Sequence, residues 1–308
     1  MIRAALLCCT LGLSPALAGD LAFVTSQNAD MVTIVDLGSG QIISSTPVSG
    51  APAPVAYDAQ RSLAYVISAK DGVLHVLNET GRDVWRIKLG EGAFGIAIAQ
   101  DGGLFITDWY GHRLSRYDGR LSRIWSVRTG ASPAGVALTS DGALVATADR
   151  DDDQISLYDA SNGRRLRAIK VGKHPYAIVA YDGRLWTTDV QSDTVTVVDP
   201  ILGRVEATIP TGSHPYGLAF AGGKGFVTNQ YAGTISVFDA KTLAPLATLE
   251  TGDYPEGIAT LPDGSGVAIV HWESNTMVIV DAATLAVRKS IELPDGPRAF
   301  GLFTGRQQ

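Results

Sequence analysis

Cysteine is scarce in this sequence: among 308 residues, only Cys8 and Cys9 are cysteines. Both lie in the first eighteen residues, so the rest of the chain offers neither disulfides nor a thiolate site. The CxxCH motif that attaches a c-type haem covalently is absent as well. Stability must therefore come from burial, and 45% hydrophobic residues against 18% charged ones supply the apolar material for it.

Long apolar runs are scarce too, and the one notable run is N-terminal. Segment 1–18 combines one basic residue, a short apolar stretch and small residues at Ala16 and Ala18. This pattern predicts a secretory signal cut after Ala18, and hence a periplasmic or secreted protein. The alternative, a lipid anchor on Cys8, is disfavoured because Leu7 stands where a small residue is expected. The run is too short to span a bilayer, and no later stretch predicts an integral membrane segment in the mature chain.

Clusters of positive charge and recognised catalytic motifs are also lacking. The formal net charge is −6 and no basic run occurs, which argues against nucleic acid and anionic membrane surfaces as partners. The sequence contains no Ser-His-Asp order, no glycine-rich phosphate loop and no zinc-protease motif. These absences favour a non-catalytic protein that binds a protein partner or a small ligand.

What the sequence does contain is a repeat of about forty residues. Each unit has an apolar strand, a polar loop, an alternating strand that closes on an acidic or amide residue, a further strand, and a small-residue strand. The closing residues recur every 40 to 42 positions, at Asp36, Asn78, Asp118, Asp159, Asp199, Asp239 and Asp281. A glycine-type position opens the small-residue strand at Pro54, Gly95, Gly135, Ala177, Gly217, Gly257 and Gly301. Seven units of four short strands predict an all-β, seven-bladed β-propeller.

The two ends of the chain predict how the ring closes. The chain after the signal enters directly at the second element, "LAFVTSQ" (21–27), and lacks a small-residue strand of its own. A surplus copy of that strand, "AFGLF" (299–303), stands at the C-terminus. We therefore predict a single domain over 19–308 in which the C-terminal strand completes the first blade, so that closure leaves no open sheet edge.

The repeat resembles the YVTN-type β-propeller family, which is related to WD-like repeats. The residues that carry the resemblance are "FVTN" (226–229), "TISVFD" (234–239) and "TGDYPEGIA" (251–259). The resemblance implies a propeller similar to periplasmic and surface binding proteins and to the propellers of haem nitrite reductases and amine dehydrogenases. It therefore also suggests an accessory role in a redox or cofactor-dependent system. Since one fold hosts many functions, the function must be argued from a site.

Polar and aromatic variety is expected on one face of the ring. The loops between the second and third strands and the crossovers between blades lie together on one face, which we call the loop-rich face. The hairpins with Asp-Gly turns lie on the opposite face, the hairpin face. We predict a ligand- or partner-binding site on the loop-rich face, made of His174, Tyr176, His214, Tyr216, Trp109, Tyr110, His112, Trp272, Glu256 and Arg298.

The two copies of "HPY" put His174 and His214 at equivalent positions of neighbouring blades. Other units carry Ala51, Gly92, Ser132, Tyr254 and Arg298 there, so the fold does not require histidine at this position. The following proline predicts an extended conformation for each histidine. The pair could bind a transition metal, with Asp189, Asp253, Glu256 or His271 completing the shell. It could instead bind a haem-like or quinone cofactor or an anionic ligand, or it could be a remnant of blade duplication.

Two further acidic or polar features are weaker candidates. The residues that end the second strands, Ser26, Ser68, Asp108, Asp189, Asn229 and His271, are expected to face a hydrophilic channel mouth. The loop "DRDDD" (149–153) could bind calcium, but it lacks the glycine and the terminal glutamate of a dedicated calcium loop, so a solvated loop is favoured.

The alternative to a binding protein is a metal-dependent propeller hydrolase or lactonase, with the His/carboxylate set activating a water molecule on the same face.

Overall fold

The computed structural model describes residues 19–307, and these residues form an all-β ring. The predicted signal segment 1–18, with Cys8 and Cys9, lies outside the described residues, and its cleavage stays a prediction. Within the described part of the chain, no helix has the length and apolarity that crossing a bilayer would require.

The described strands form seven antiparallel sheets of four strands, which confirms the predicted blade count. From the innermost strand outwards, blade 1 consists of β28 (Thr304–Arg306), β1 (Asp20–Ser26), β2 (Met31–Asp36) and β3 (Ile42–Pro47). Blades 2 and 3 consist of β4 (Pro52–Asp58), β5 (Leu63–Ser68), β6 (Val73–Asn78) and β7 (Asp83–Lys88), and of β8 (Ala93–Ile98), β9 (Leu104–Asp108), β10 (Arg113–Tyr117) and β11 (Arg123–Arg128). Blades 4 and 5 consist of β12 (Pro133–Leu138), β13 (Leu144–Asp149), β14 (Gln154–Asp159) and β15 (Arg165–Lys170), and of β16 (Pro175–Tyr181), β17 (Arg184–Asp189), β18 (Thr194–Asp199) and β19 (Arg204–Pro210). Blades 6 and 7 consist of β20 (Pro215–Ala221), β21 (Lys224–Asn229), β22 (Thr234–Asp239) and β23 (Pro245–Glu250), and of β24 (Pro255–Thr260), β25 (Gly266–His271), β26 (Thr276–Asp281) and β27 (Val287–Glu292); a 3₁₀ turn, Arg150–Asp152, joins β13 to β14.

The C-terminal segment closes the ring on the first blade as predicted, but the strand that pairs with β1 is 304–306 rather than 299–303. Strand β28 pairs antiparallel with β1, with Thr304 opposite Ala22 and Arg306 opposite Asp20. Segment 299–303, predicted as the closing strand, precedes this ladder and also pairs in parallel with β4, since the Val55 N–H donates to the Phe300 carbonyl at 3.0 Å. The chain end is therefore held between the first two blades, and closure depends on backbone hydrogen bonds to both of them.

The core lies between neighbouring blades rather than within any one of them. Phe23 of blade 1 packs against Tyr57 of blade 2, with 4.6 Å between ring centroids and 34° between ring planes. On its other side, blade 1 packs in one buried cluster with residues of blade 7 such as Met277. The innermost strands must approach closely, and a Cβ on Gly217 would lie 2.6 Å from the Glu256 carbonyl oxygen of the next blade. This spacing explains the small residues that open those strands.

Candidate functional site

Three sets of repeat-equivalent residues approach the axis on the loop-rich face. The inner set precedes the glycine-type position and consists of Ala53, Phe94, Ala134, Tyr176, Tyr216, Glu256 and Phe300. The loop set follows the second strand of each blade and consists of Gln27, Ala69, Trp109, Arg150, Val190, Gln230 and Trp272. The crossover set consists of Ala51, Gly92, Ser132, His174, His214, Tyr254 and Arg298. The fold fixes where these positions lie but leaves their chemistry free, so they are where function can be encoded.

Four aromatic members of the inner set form a plug across the axis. Ring centroids lie 5.1 Å apart for Phe94 and Phe300, 5.0 Å for Tyr176 and Phe300, and 4.2 Å for Tyr176 and Tyr216. The plug separates an apolar cavity of about 580 Å³ towards the hairpin face from a polar cavity of about 580 Å³ on the loop-rich face. Phe300 lines the first cavity and the two tyrosines line the second, and no residue lines both.

The loop-face cavity is built mainly by blades 3 to 7 and by the C-terminal segment. Its lining residues are Trp109, Arg150, His174, Tyr176, Val190, Gln191, His214, Tyr216, Gln230, Tyr231, Tyr254, Glu256, Trp272 and Arg298. Eight of the ten residues predicted for binding are among them. A volume of this size is typical of small-molecule sites.

An ion pair between Arg298 and Glu256 lies at one side of the cavity. The guanidinium Nε is 2.6 Å from Glu256 Oε2, and burial raises the pKa of that carboxyl, which is 2% exposed. Gln230 Nε2 donates to the other oxygen at 2.5 Å, and Arg298 Nη1 donates to Gln27 Oε1 at 2.8 Å. The guanidinium also lies 5.1 Å from the Trp272 ring centroid, within reach of a cation–π contact. The pair is thus held on several sides, and its charge is internally balanced.

A pair of buried tyrosines continues from this ion pair to the axis. Arg298 Nη2 donates to the Tyr216 hydroxyl at 2.8 Å, and the Tyr216 and Tyr176 hydroxyls are 2.5 Å apart. Burial raises the pKa of Tyr176 to about 12, and it also raises the pKa of Tyr216. Both phenols therefore keep their protons at neutral pH.

His174 and His214 lie at the cavity wall in a conformation that differs from the predicted one. Their φ angles are +53° and +56°, in the left-handed region rather than the extended region that the following proline favours. The prediction of an extended backbone was wrong because each histidine N–H is bound by an aspartate of the preceding blade. Asp153 Oδ1 accepts from His174 at 2.9 Å and Asp193 Oδ1 accepts from His214 at 2.8 Å.

Hydrogen bonds from a crossover N–H to a loop side chain of the preceding blade recur around the ring, and similar bonds explain part of the acidic loop. Asp30 Oδ1 accepts from the Ala51 N–H at 2.7 Å, and Asn275 Oδ1 accepts from the Gly296 N–H at 2.9 Å. In the "DRDDD" loop, Asp152 accepts from the Ala131 N–H at 2.8 Å and Asp151 from the Ser132 hydroxyl at 2.5 Å. These carboxylates hold the crossover before blade 4.

The imidazoles and rings give the cavity flat aromatic walls. His214 stacks on Tyr231 with 3.8 Å between centroids and 23° between planes. On the opposite side, the Arg150 guanidinium lies 5.5 Å from the Trp109 ring centroid. His174 Nδ1 is buried without a hydrogen-bond partner among the described residues.

Four residues predicted for the site do not line the cavity. Tyr110 is 73% exposed, and His112 Nδ1 accepts a hydrogen bond from the Ser132 N–H at 3.0 Å. Asp189 and His271, suggested as metal ligands with His174 and His214, are fully buried inside their own blades. Across residues 19–307, no three His, Cys, Asp or Glu side chains are grouped so that they could hold a metal ion.

The strand-ending positions correct the expectation of a hydrophilic channel mouth. Asp189 accepts from Thr194 and Thr196 at 3.0 and 2.6 Å, and Asn229 Nδ2 contacts Thr234 and Ser236 at 3.0 and 2.9 Å. These side chains point between strands, because successive side chains of a strand alternate in direction. In blades 3 to 7 the next residue lines the cavity instead, and three of these residues, Arg150, Val190 and Gln230, were missed by the sequence prediction. Counting one position further in each repeat would have found them.

Comparison with known proteins places this geometry in a family. Residues 28–290 match the family model described as outer membrane protein assembly factor BamB. The chain belongs to that family. The match agrees with the repeat-propeller resemblance predicted from the sequence. It spans blades 2 to 6 completely, nearly all of blade 7, and two strands of blade 1, at which the ring closes. Among curated proteins, no match to this chain was found.

Solved structures with the same fold are remote in sequence. A functionally unknown protein from Desulfotomaculum acetoxidans has a TM-score of 0.79 at 13% identity, covering 94% of this chain and 99% of that one. A dihydro-heme d1 dehydrogenase in complex with DHE gives 0.70 at 16% identity, over 94% and 77% of the two chains. Virginiamycin B lyase from Staphylococcus aureus gives 0.69 at 16% identity, over 82% and 92%. At these identities the likeness establishes the fold alone.

Proposed function

We propose that this protein is a periplasmic or secreted propeller that binds a small planar ligand in the loop-face cavity, as an accessory to a redox or cofactor-dependent system. The observation that carries the proposal is a polar cavity of about 580 Å³, closed at its base by the plug and walled by side chains that the repeat does not require. A closed base and several convergent polar groups distinguish a ligand pocket from an open channel.

The chemistry of the walls favours a flat ligand over an extended chain. Trp109, Trp272 and the stacked His214–Tyr231 pair line the cavity with aromatic rings, which attract planar conjugated molecules. The polar groups are clustered around Arg298 and the tyrosine pair, so the ligand would be oriented as well as held.

Location outside the cytoplasm is supported by two independent features. The N-terminal segment has the composition of a secretory signal. The matching family is described as an outer membrane protein assembly factor, which also favours a location outside the cytoplasm. The same description makes a partner protein the other occupant that we consider for the loop-rich face. An accessory role is supported by the structural likeness to a dihydro-heme d1 dehydrogenase that was solved in complex with DHE.

The hydrolase hypothesis has less support from the geometry. Its candidate ligands beside His174 and His214 are Asp189, Glu256 and His271. Asp189 and His271 bond within their own blades, and Glu256 is already paired with Arg298 and Gln230. A metal-assisted hydrolysis would need them to converge on one water molecule. Binding is the function that requires no rearrangement of the blades.

The proposal is tested by purifying the mature protein from its native compartment and analysing what it carries. We expect a small molecule released on denaturation, detected by absorption spectroscopy and mass spectrometry, and lost from the variant His174→Ala/His214→Ala/Trp272→Ala. The matched control is Trp85→Ala/Tyr110→Ala, which removes two rings that are 46% and 73% exposed and lie outside the cavity. Equal ligand content in the triple variant and the wild type would refute the assignment to this cavity.

A further inference from the structure

The tyrosine pair leaves one hydrogen-bond donor without an acceptor. Among the described residues, the Tyr176 and Tyr216 hydroxyls form hydrogen bonds only with each other and with Arg298. Two phenols carry two protons, but one contact between them can use only one of these. Arginine has no acceptor atom, so its contact with Tyr216 cannot use the other.

The direction of the chain identifies which proton remains. Tyr216 oxygen accepts from Arg298 Nη2, and the cooperative arrangement then has Tyr216 donating to Tyr176. The Tyr176 proton is left over, on a side chain that is only 8% exposed and that lines the loop-face cavity. A buried donor without a partner costs free energy, and a bound acceptor would recover it.

The charges around the cavity indicate what kind of acceptor fits. Arg298 is paired with Glu256 at 2.6 Å, and Arg150 is paired with Asp151 at 2.5 Å. Neither arginine is an uncompensated cation awaiting a carboxylate. A neutral acceptor therefore suits the site better than an anion.

We infer that the ligand of the loop-face cavity is a planar conjugated carbonyl compound, whose neutral carbonyl oxygen accepts a hydrogen bond from the Tyr176 hydroxyl. This inference rests on the proposed function and adds the atom that the ligand must present and the residue that selects it. Tyr176 is the specificity-determining residue, and Tyr216 and Arg298 orient its proton.

The test compares three probes that share one ring system, by equilibrium dialysis against the mature protein. These are 2-acetylnaphthalene, its isostere 2-isopropenylnaphthalene, in which a methylene group replaces the carbonyl oxygen, and 2-naphthoate. We expect the ketone to bind about 3- to 10-fold more tightly than the alkene, the worth of one hydrogen bond. Naphthoate should bind no more tightly than the ketone. Binding at the apolar cavity is subtracted by measuring all three probes on the triple variant described above.

Two variants assign the donor. Tyr176→Phe should bind ketone and alkene equally, whereas Tyr216→Phe should keep the preference for the ketone, because the Tyr176 proton remains. The opposite pattern would overturn the assignment to Tyr176. The wild-type ratio of ketone to alkene tests the inference even where a variant folds poorly.

The outcomes separate this inference from the proposed function. Equal binding of ketone and alkene by the wild type, with both lost in the triple variant, would overturn the inference and leave the cavity as a ligand site. A naphthoate affinity above that of the ketone would overturn the argument for a neutral acceptor. Failure of every probe to bind, or binding that the triple variant retains in full, would overturn both.

Discussion

Replacing Asp189 by asparagine should stabilise the protein increasingly as the pH rises from about 4 to about 7. The carboxyl is fully buried, and this burial raises its pKa to about 7 against the opposing hydrogen bonds from Thr196 and Thr194. The equivalent position in the next blade already holds Asn229, whose amide bonds to the corresponding Thr234 and Ser236. The fold therefore accepts the amide at this site without rearrangement.

The magnitude follows from proton linkage. The pKa of Asp189 is about 7 when folded and 3.8 as its ordinary value. Between these values the unfolded chain has lost the proton while the folded chain keeps it, so stability falls as the pH rises. Each pH unit in that window costs about 1.4 kcal/mol, which gives a total loss of about 4 kcal/mol that persists above pH 7. An asparagine cannot ionise and avoids this loss.

The assay is urea unfolding of wild type and Asp189→Asn at intervals from pH 4 to pH 9. The difference in the free energy of unfolding should be near zero at pH 4 and reach about 4 kcal/mol in favour of the variant at pH 8. The matched control, Asn229→Asp, should introduce a loss of the same sign in its own blade. A difference between variant and wild type that stays constant across the whole pH range would refute the reasoning.

Three further predictions concern stability and closure. Burial lowers the pKa of His271 from 6.5 to about 4, so between these values the unfolded chain binds a proton that the folded chain does not. The free energy of unfolding of the wild type should therefore rise by about 3 kcal/mol from pH 4 to pH 6.5. This rise should be absent from His271→Asn in the same urea titration. Truncating the chain after Gly296 removes β28 and should expose the edge of β1, giving a lower melting temperature and aggregates on size-exclusion chromatography. Gly217→Ala should cost about 1–3 kcal/mol in thermal unfolding because its Cβ would meet a carbonyl of the next blade, while Gly119→Ala, with no atom closer than 3.7 Å, should cost less than half of that.

The repeat in the sequence was enough to predict the ring. The closing residues from Asp36 to Asp281 and the glycine-type positions mark strands that pair with their neighbours in the chain, and such local ladders follow from hydrophobic alternation and turn residues. The unmatched strand at the C-terminus predicted closure for the same reason. The crossover set, with His174 and His214, was also visible as a position where the repeat varies.

Only the tertiary structure decided which of the variable residues meet. Tyr176, Tyr216, Glu256 and Arg298 come from three different blades and the C-terminal segment, and their contacts exist only once the ring is closed. The direction of each side chain at a strand end also lies beyond the repeat pattern. Asp189 turns into its blade whereas Val190 faces the cavity, because the alternation of side chains is fixed by the position of the strand against its neighbours. Sequence periodicity sets which residues are equivalent, but convergence at an axis depends on packing between residues that are far apart in the chain.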